Sequence, residues 1–398
     1  MRLKPDTFAM TATLGLLTAL GPLSTDMYLP SLPYIAELFD ASVAKTQLTL
    51  SVFLVGFALS QIVFGPVSDR LGRRSVLVVA LGLFALASLV CAFAGRIETL
   101  IGARFLQALG AAGGVVIART IVRDLYTASR AGQELALMGT IMGVVPLLAP
   151  GLGAVLHELF GWRANFVVAA LMGLAGALWI RASLPETLKP EYVRPSTAGS
   201  ILRDFGALIA HPVYRVYLVF ACCAYSGLFS FISVSSYILQ DIYGLTELQF
   251  GLAFACAVAG FMLGTLAGRR LTGKLGIDAA IGTGTLVLAG GGLLCLLLTE
   301  TAAPGSGLWR VLLPAAVYFL GVGIVLPQSM AGAMTPFPDR AGAASSLLGF
   351  MQMSFAAIVG IVVAANLGGT ARSLAVALAV MGCTALAAHL LTRGLRRL

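Results

Sequence analysis

The chain has 398 residues, 59% of them hydrophobic and 11% charged, whereas soluble domains carry about 25% charged residues. So little charge excludes an ordinary soluble enzyme, and the net charge of +9 calls for an explanation other than a nucleic-acid partner. Apolar runs long enough to cross a hydrocarbon core of about 30 Å recur along the whole length.

In chain order the predicted spans are 8–36, 47–67, 75–94, 99–122, 134–156, 162–180, 213–239, 250–268, 279–299, 308–334, 343–366 and 373–391. Barrel strands would be shorter and would alternate in polarity, so the fold class is all-α, a membrane protein of twelve transmembrane helices. The stretch from Leu184 to Ser200 is polar and rich in proline, and it divides six spans from six. The expected organisation is a six-helix bundle over 1–183, a cytoplasmic linker over 184–211 and a second six-helix bundle over 212–398. A weak echo supports two pseudo-symmetric halves: Asp69-Arg-Leu-Gly72 follows the second span and Gly273-Lys-Leu-Gly276 the eighth. Parallel repeats with substrate held near the midplane between them describe a large class of secondary transporters.

The basic residues are distributed unevenly. Five (Lys45, Arg96, Arg163, Arg310 and Arg372) fall in one set of loops and Arg104 lies in a span, while the remaining twenty fall on the other side. The positive-inside rule then places both termini in the cytoplasm. Trp162 and Trp309 are expected at outer span ends and Trp179 at an inner one, as an aromatic belt. Arg2 and Lys4 ahead of an apolar run imitate a signal peptide, but no small-residue cleavage site follows, so the run is expected to remain as the first span. The six cysteines fall within spans without metal-ligand spacing and are expected to pack as small apolar residues.

Asp26 lies inside the first span, in Pro22-Leu-Ser24-Thr-Asp26-Met27-Tyr28-Leu-Pro30. A carboxylate at bilayer depth costs roughly 2.5–3.5 kcal/mol, so it marks a functional site whose partner is a proton or a cation. Solvation near a helix end is the alternative. The corresponding place in the second half is near Ser230, which carries no charge, so proton chemistry is assigned to the first half.

The segment Gly65-Pro-Val-Ser-Asp69-Arg70-Leu-Gly72-Arg73-Arg74 is expected as a tight basic loop between the second and third spans. Glycine permits the turn, and the arginines hold the loop inside and form ion pairs. The segment resembles the cytoplasmic loop signature of the major facilitator superfamily. That resemblance implies that the loop braces the two halves in one conformation, with Asp69 facing a helix N-terminus near Ala343 and Arg73 paired with Asp124. A second motif, Arg104-Phe-Leu-Gln107-Ala108-Leu-Gly110, resembles the family's fourth-helix signature, in which the arginine acts on a nearby carboxylate. Arg104 either meets such a partner or snorkels to the outer surface. Ala108 stands where glycine is common.

The third motif runs Gly139-Thr-Ile-Met-Gly143-Val-Val-Pro146-Leu-Leu-Ala149-Pro150-Gly151-Leu-Gly153-Ala154. Paired prolines kink a helix and glycines let it approach a neighbour. It is similar to the segment associated with antiporters in this superfamily, with Ala149 and Ala154 replacing glycines. Together with Thr46-Gln47, Arg119-Thr-Ile-Val-Arg123-Asp124 and Ser226-Gly-Leu-Phe-Ser230, these motifs resemble those of the bicyclomycin and chloramphenicol resistance group of drug:proton antiporters. Thr18 stands where some distant relatives carry a second carboxylate.

The resemblance implies proton coupling through Asp26 and Arg104, and gating by Gly65, Asp69, Arg70, Gly72, Arg73, Asp124, Pro146, Pro150 and Gly153. The apolar and aromatic cavity expected of such a site suggests Met27, Tyr28, Tyr225, Phe229, Phe231, Tyr237, Gln328 and Gln352 as substrate-binding residues. No phosphate-binding loop of the Gly-x-x-x-x-Gly-Lys type is present in the sequence, so the driving force is expected to be the proton gradient, without enzymatic activity, cofactor or metal. The expected protein is a monomer in the bacterial inner (cytoplasmic) membrane that exchanges amphipathic drugs, bicyclomycin or chloramphenicol-like, for protons. A transporter of a native metabolite such as a short peptide or amino acid is the alternative.

Overall fold

The computed structural model describes residues 3, 5, 7–126, 128–188, 198–301, 307–337 and 340–396. Contacts within the chain divide it into two compact units, Met1–Ala41 with Leu48–Ser196, and Ser42–Gln47 with Thr197–Leu398. Among the described residues every regular element is a helix.

In the first unit α1 (Phe8–Asp26) starts at Thr7, whose hydroxyl accepts from the Met10 amide at 3.3 Å, so one orphan donor of the first turn is satisfied. The helix stops at Asp26, passes through a short 3₁₀ turn at Leu29–Ser31 and resumes as α2 (Leu32–Leu38). Pro30 and Pro33 lack the amides that would carry an uninterrupted helix through this point. The helix therefore breaks immediately after its one carboxylate.

α3 (Val43–Leu71) and α4 (Arg73–Ala92) are separated by Gly72 alone, at φ 91°. The basic segment expected as a loop is thus mostly helix. Gly65 lies inside α3, where a side chain would meet open space, and the reversal rests on Gly72, whose backbone other residues rarely adopt. The unit continues with α5 (Ile97–Leu125), α6 (Ala128–Phe160, containing Pro146 and Pro150) and α7 (Arg163–Ser183). Trp162 is not a belt residue. It is 2% exposed, edge-on to Phe39 and Phe166 with ring centres 5.9 Å away in each case, because the turn before α7 folds its ring onto the bundle. Trp179 and Trp309 are exposed.

Part of the expected linker, 189–197, lies outside the described residues, and its remainder carries α8 (Ala198–Ala210). α9 (Pro212–Ser236) ends in a π-helical turn, Tyr237–Ile242. α10 runs Glu247–Glu300 from a Thr246–Gln249 capping box. Its 54 residues would reach about 81 Å if straight, far more than one bilayer core, and Gly276 at φ 85° breaks it into two spans. α11 (Trp309–Met334), α12 (Ala341–Ala365) and α13 (Arg372–Leu391) complete the unit. Ten helical segments among the described residues are long and apolar enough to cross a membrane. Counting α10 twice and adding α6, with its apolar stretch Val144–Phe160, gives the twelve spans of a multi-pass membrane protein.

Candidate functional site

The break in the first helix and the first third of α5 meet inside the first unit. Arg104 is fully buried and does not snorkel. Its Nη1 donates to the Ser24 carbonyl at 3.0 Å and to Gln107 Oε1 at 2.5 Å. Gln107 in turn donates through Nε2 to Ser88 Oγ at 2.7 Å, and Ser88 donates to the Phe84 carbonyl at 2.6 Å. The charge is further surrounded by rings: the guanidinium carbon lies 4.3 Å from the Phe53 centroid, 4.5 Å from Tyr28 and 5.9 Å from Phe166. Desolvated cation–π contacts of this kind are worth about 2 kcal/mol each, which offsets part of the cost of holding the cation at depth. Arg104 Nε and Nη2 have no hydrogen-bond partner among the described residues.

Asp26, 4% exposed, makes no hydrogen bond or ion pair with the described residues, and Arg104 bonds the Ser24 carbonyl two residues before it. Tyr28 shares a 2.7 Å hydrogen bond with Thr49 and rests 5.4 Å from Phe166. Met27 contributes backbone: a Cβ added at Gly153 would fall on the Met27 carbonyl, so α6 presses directly on the chain just beyond Asp26. Asn165 Nδ2 lies 3.4 Å from the Gly153 carbonyl and 3.5 Å from Ser31 Oγ, close to the same junction. The arrangement presents one carboxylate without a fixed partner, a caged cation and a helix break held by backbone packing. Such a carboxylate can exchange a proton without first breaking an ion pair.

At the other end of the first unit, Arg73 donates through Nε to Asp124 Oδ2 at 3.0 Å and through Nη1 to Ser68 Oγ at 2.7 Å, and it also pairs with Asp69. Arg70 is exposed. Pro146 and Pro150 lie within α6, two turns and one turn before the junction around Gly153.

The substrate candidates of the second unit lie on α9, its π-helical turn, α11 and α12. Phe229 is buried near Gly360, Tyr225 and Gln328 are half-buried, and Tyr237 is buried at the π-helical turn. Gln352 is buried with its Oε1 unpartnered among the described residues. Phe231 sits inside an aromatic cluster, 5.3 Å from Phe319 and 5.9 Å from Phe254, which is a packing position. Among the described residues no group of three His, Cys, Asp or Glu is placed to hold a metal ion.

Sequence reasoning missed Phe53, Phe166, Ser88 and Asn165. Gln107, three residues after Arg104 and so on the same helix face, carried the one available signal. Aromatic residues elsewhere in membrane spans offer none.

The family model described as Major Facilitator Superfamily matches residues 14–361. The MFS-type transporter YdgK of Bacillus subtilis is 35% identical over 368 residues, 91% of this chain and 90% of that protein. The bicyclomycin resistance protein homolog of Haemophilus influenzae is 30% identical, covering 92% and 91%. Among solved structures, a D-xylose–proton symporter superposes with a TM-score of 0.76 at 16% identity, covering 96% of each chain, which is a likeness of fold.

Proposed function

The chain belongs to the Major Facilitator Superfamily and is a membrane transporter rather than an enzyme, and from that premise we propose that it is a drug:proton antiporter of the cytoplasmic membrane. Amphipathic drugs of the bicyclomycin or chloramphenicol type leave the cell by alternating access, and protons enter in exchange. Relatives named for bicyclomycin and multidrug resistance, at about 30% identity over most of the chain, support the substrate class. One observation carries the coupling: Asp26 is a buried carboxylate without a bonded partner among the described residues, at a helix break whose Ser24 carbonyl is bonded by a fully buried arginine.

On this reading Asp26 takes the proton. Arg104 is the buried cation at the same helix break and is itself held by Gln107, the Ser24 carbonyl and three rings. Met27, Tyr28, Tyr225, Phe229, Gln328 and Gln352 are the candidate substrate contacts. Tyr237 remains a candidate, while Phe231 belongs to the packing. The basic turn at Gly72, with Arg73 and Asp124, is the cytoplasmic gate, and both termini are cytoplasmic.

The test is export from cells that overproduce the protein. Resistance to bicyclomycin should rise, and it should vanish when a protonophore collapses the gradient. Resistance that persists without a gradient, or a gradient-driven flux of amino acids or short peptides without drug export, would overturn the reading.

A further inference from the structure

We propose that Glu186 is a positioning residue that clamps the start of the linker onto the turn between α3 and α4; the functional half of this inference rests on the transport reading above, the structural half does not. Glu186 follows α7 by three residues, in Leu184-Pro-Glu186-Thr187. One carboxylate oxygen, Oε1, accepts from the Arg73 amide at 2.8 Å, and the other, Oε2, accepts from the Arg74 amide at 3.2 Å. These are the first two amides of α4, which a helix leaves without internal acceptors. The carboxylate also sits at the positive end of the helix dipole. Oε1 accepts as well from the Thr187 and Leu188 amides, at 3.0 and 3.1 Å, so the segment is folded around the same oxygen.

Two further contacts make this more than a cap. The φ of Gly72 calls for glycine at the turn, and a Cβ there would approach Glu186 Oε2 to 2.6 Å, so the carboxylate is seated directly on the turn. Thr187, 8% exposed, donates to Asp124 Oδ2 at 3.3 Å, the same oxygen that receives Arg73 Nε at 3.0 Å. Arg74 bonds the Arg181 carbonyl on α7. Residues 186 and 187 together therefore hold the backbone of Arg73 and the acid that its side chain pairs with. A change in the Arg73–Asp124 pair has to move the root of the linker with it, and the linker is the covalent connection to the second unit. Glu186 needs no contact with substrate for this; it acts through Arg73.

The full-length protein in proteoliposomes tests the clamp in two arms, with Glu186→Ala and the conservative Glu186→Gln. In hydrogen–deuterium exchange the peptide containing the Arg73 and Arg74 amides should exchange about ten-fold faster in Glu186→Ala, as expected for lost hydrogen bonds to a charged acceptor. Glu186→Gln, which keeps one acceptor oxygen but loses the charge and the second acceptor, should fall between the parent and Glu186→Ala. In bicyclomycin exchange the maximal rate of Glu186→Ala should fall about five-fold, the size of a lost cap, with the half-saturating concentration unchanged and with Glu186→Gln restoring part of the rate. Unchanged amide exchange would overturn the clamp. Faster amides with a full rate would reduce Glu186 to a helix cap, and a rate that falls in step with affinity would place its effect in the binding site; both overturn the positioning role. If the parent moves no bicyclomycin, the antiport reading fails by itself, and the amide arm, which needs no substrate, still decides for or against the clamp.

Discussion

The two units are built from the same kind of long apolar helix but solve the interior differently. The first buries ionisable and amide groups, namely Asp26, Arg73, Arg104, Gln107, Glu134 and Asn165. The buried polar groups of the second are mostly hydroxyls, Ser226, Ser230, Ser233, Ser235, Ser236, Thr285 and Ser329, several of which bond their own helix backbone. Close backbone approach holds it, as at Gly153 in the first: a Cβ at Gly260 or Gly264 would fall on the carbonyls of Ala316 or Leu320 in α11, and one at Gly323 on that of Phe261 in α10. A charge at depth is costly and is retained where it works, whereas small-residue seams supply packing between membrane helices. The difference is that buried charge is concentrated in the first unit, while close backbone packing is common to both.

The harshest way to break this division is Gly153→Leu. Its side chain would have to occupy the position of the Met27 carbonyl, so α6 and the chain beyond Asp26 cannot both stay in place. Folded yield should collapse or, where protein is recovered, sealed proteoliposomes should leak protons without drug. A tight, well-folded variant would show that this junction is not needed for coupling.

Gly264→Leu probes the opposite unit. Overpacking a seam costs about 1–3 kcal/mol or more, so the melting temperature in detergent should fall by several degrees, while the protons moved per drug molecule by the surviving protein stay the same. A changed ratio would put coupling in the second unit too.

Arg104→Lys should do the reverse, keeping the charge and losing the planar group that lies against Phe53 and Tyr28. Drug-driven exchange should drop about ten-fold, the equivalent of about 1.4 kcal/mol, with a change in melting temperature smaller than that of Gly264→Leu. Equal loss of stability and exchange would make Arg104 a structural residue. The smallest effect is expected from Phe231→Leu, a cluster substitution of about 1 kcal/mol, with drug affinity unchanged; a marked loss of affinity would return Phe231 to the substrate contacts.

What was legible in the sequence follows from physics. Asp26 and Arg104 stand out because a charge in an apolar run has few structural reasons to be there, and the Arg73 segment stands out because basic residues cluster on one side of the membrane. The paired prolines and the linker were equally visible as composition. Helix continuation through Gly65–Leu71 was not, since a motif rich in glycine, proline and charge reads as loop until packing of α3 is known. Trp162 misled because its position at a span end fits the belt, and only the fold shows Phe39 and Phe166 covering it. Glu186 gave no signal: its partners in α4 are backbone amides 112 and 113 residues away, which no spacing reveals. Phe53 and Phe166 are two of 21 phenylalanines, and nothing local distinguishes the ones that cage a cation.

The central claim, that Asp26 carries the coupling proton, is tested most directly by drug-evoked proton movement in everted membrane vesicles. Vesicles containing the parent protein should release protons from the lumen on addition of bicyclomycin, and vesicles containing equal amounts of Asp26→Asn should release none while still binding the drug. Proton release of the same size in Asp26→Asn would contradict the account.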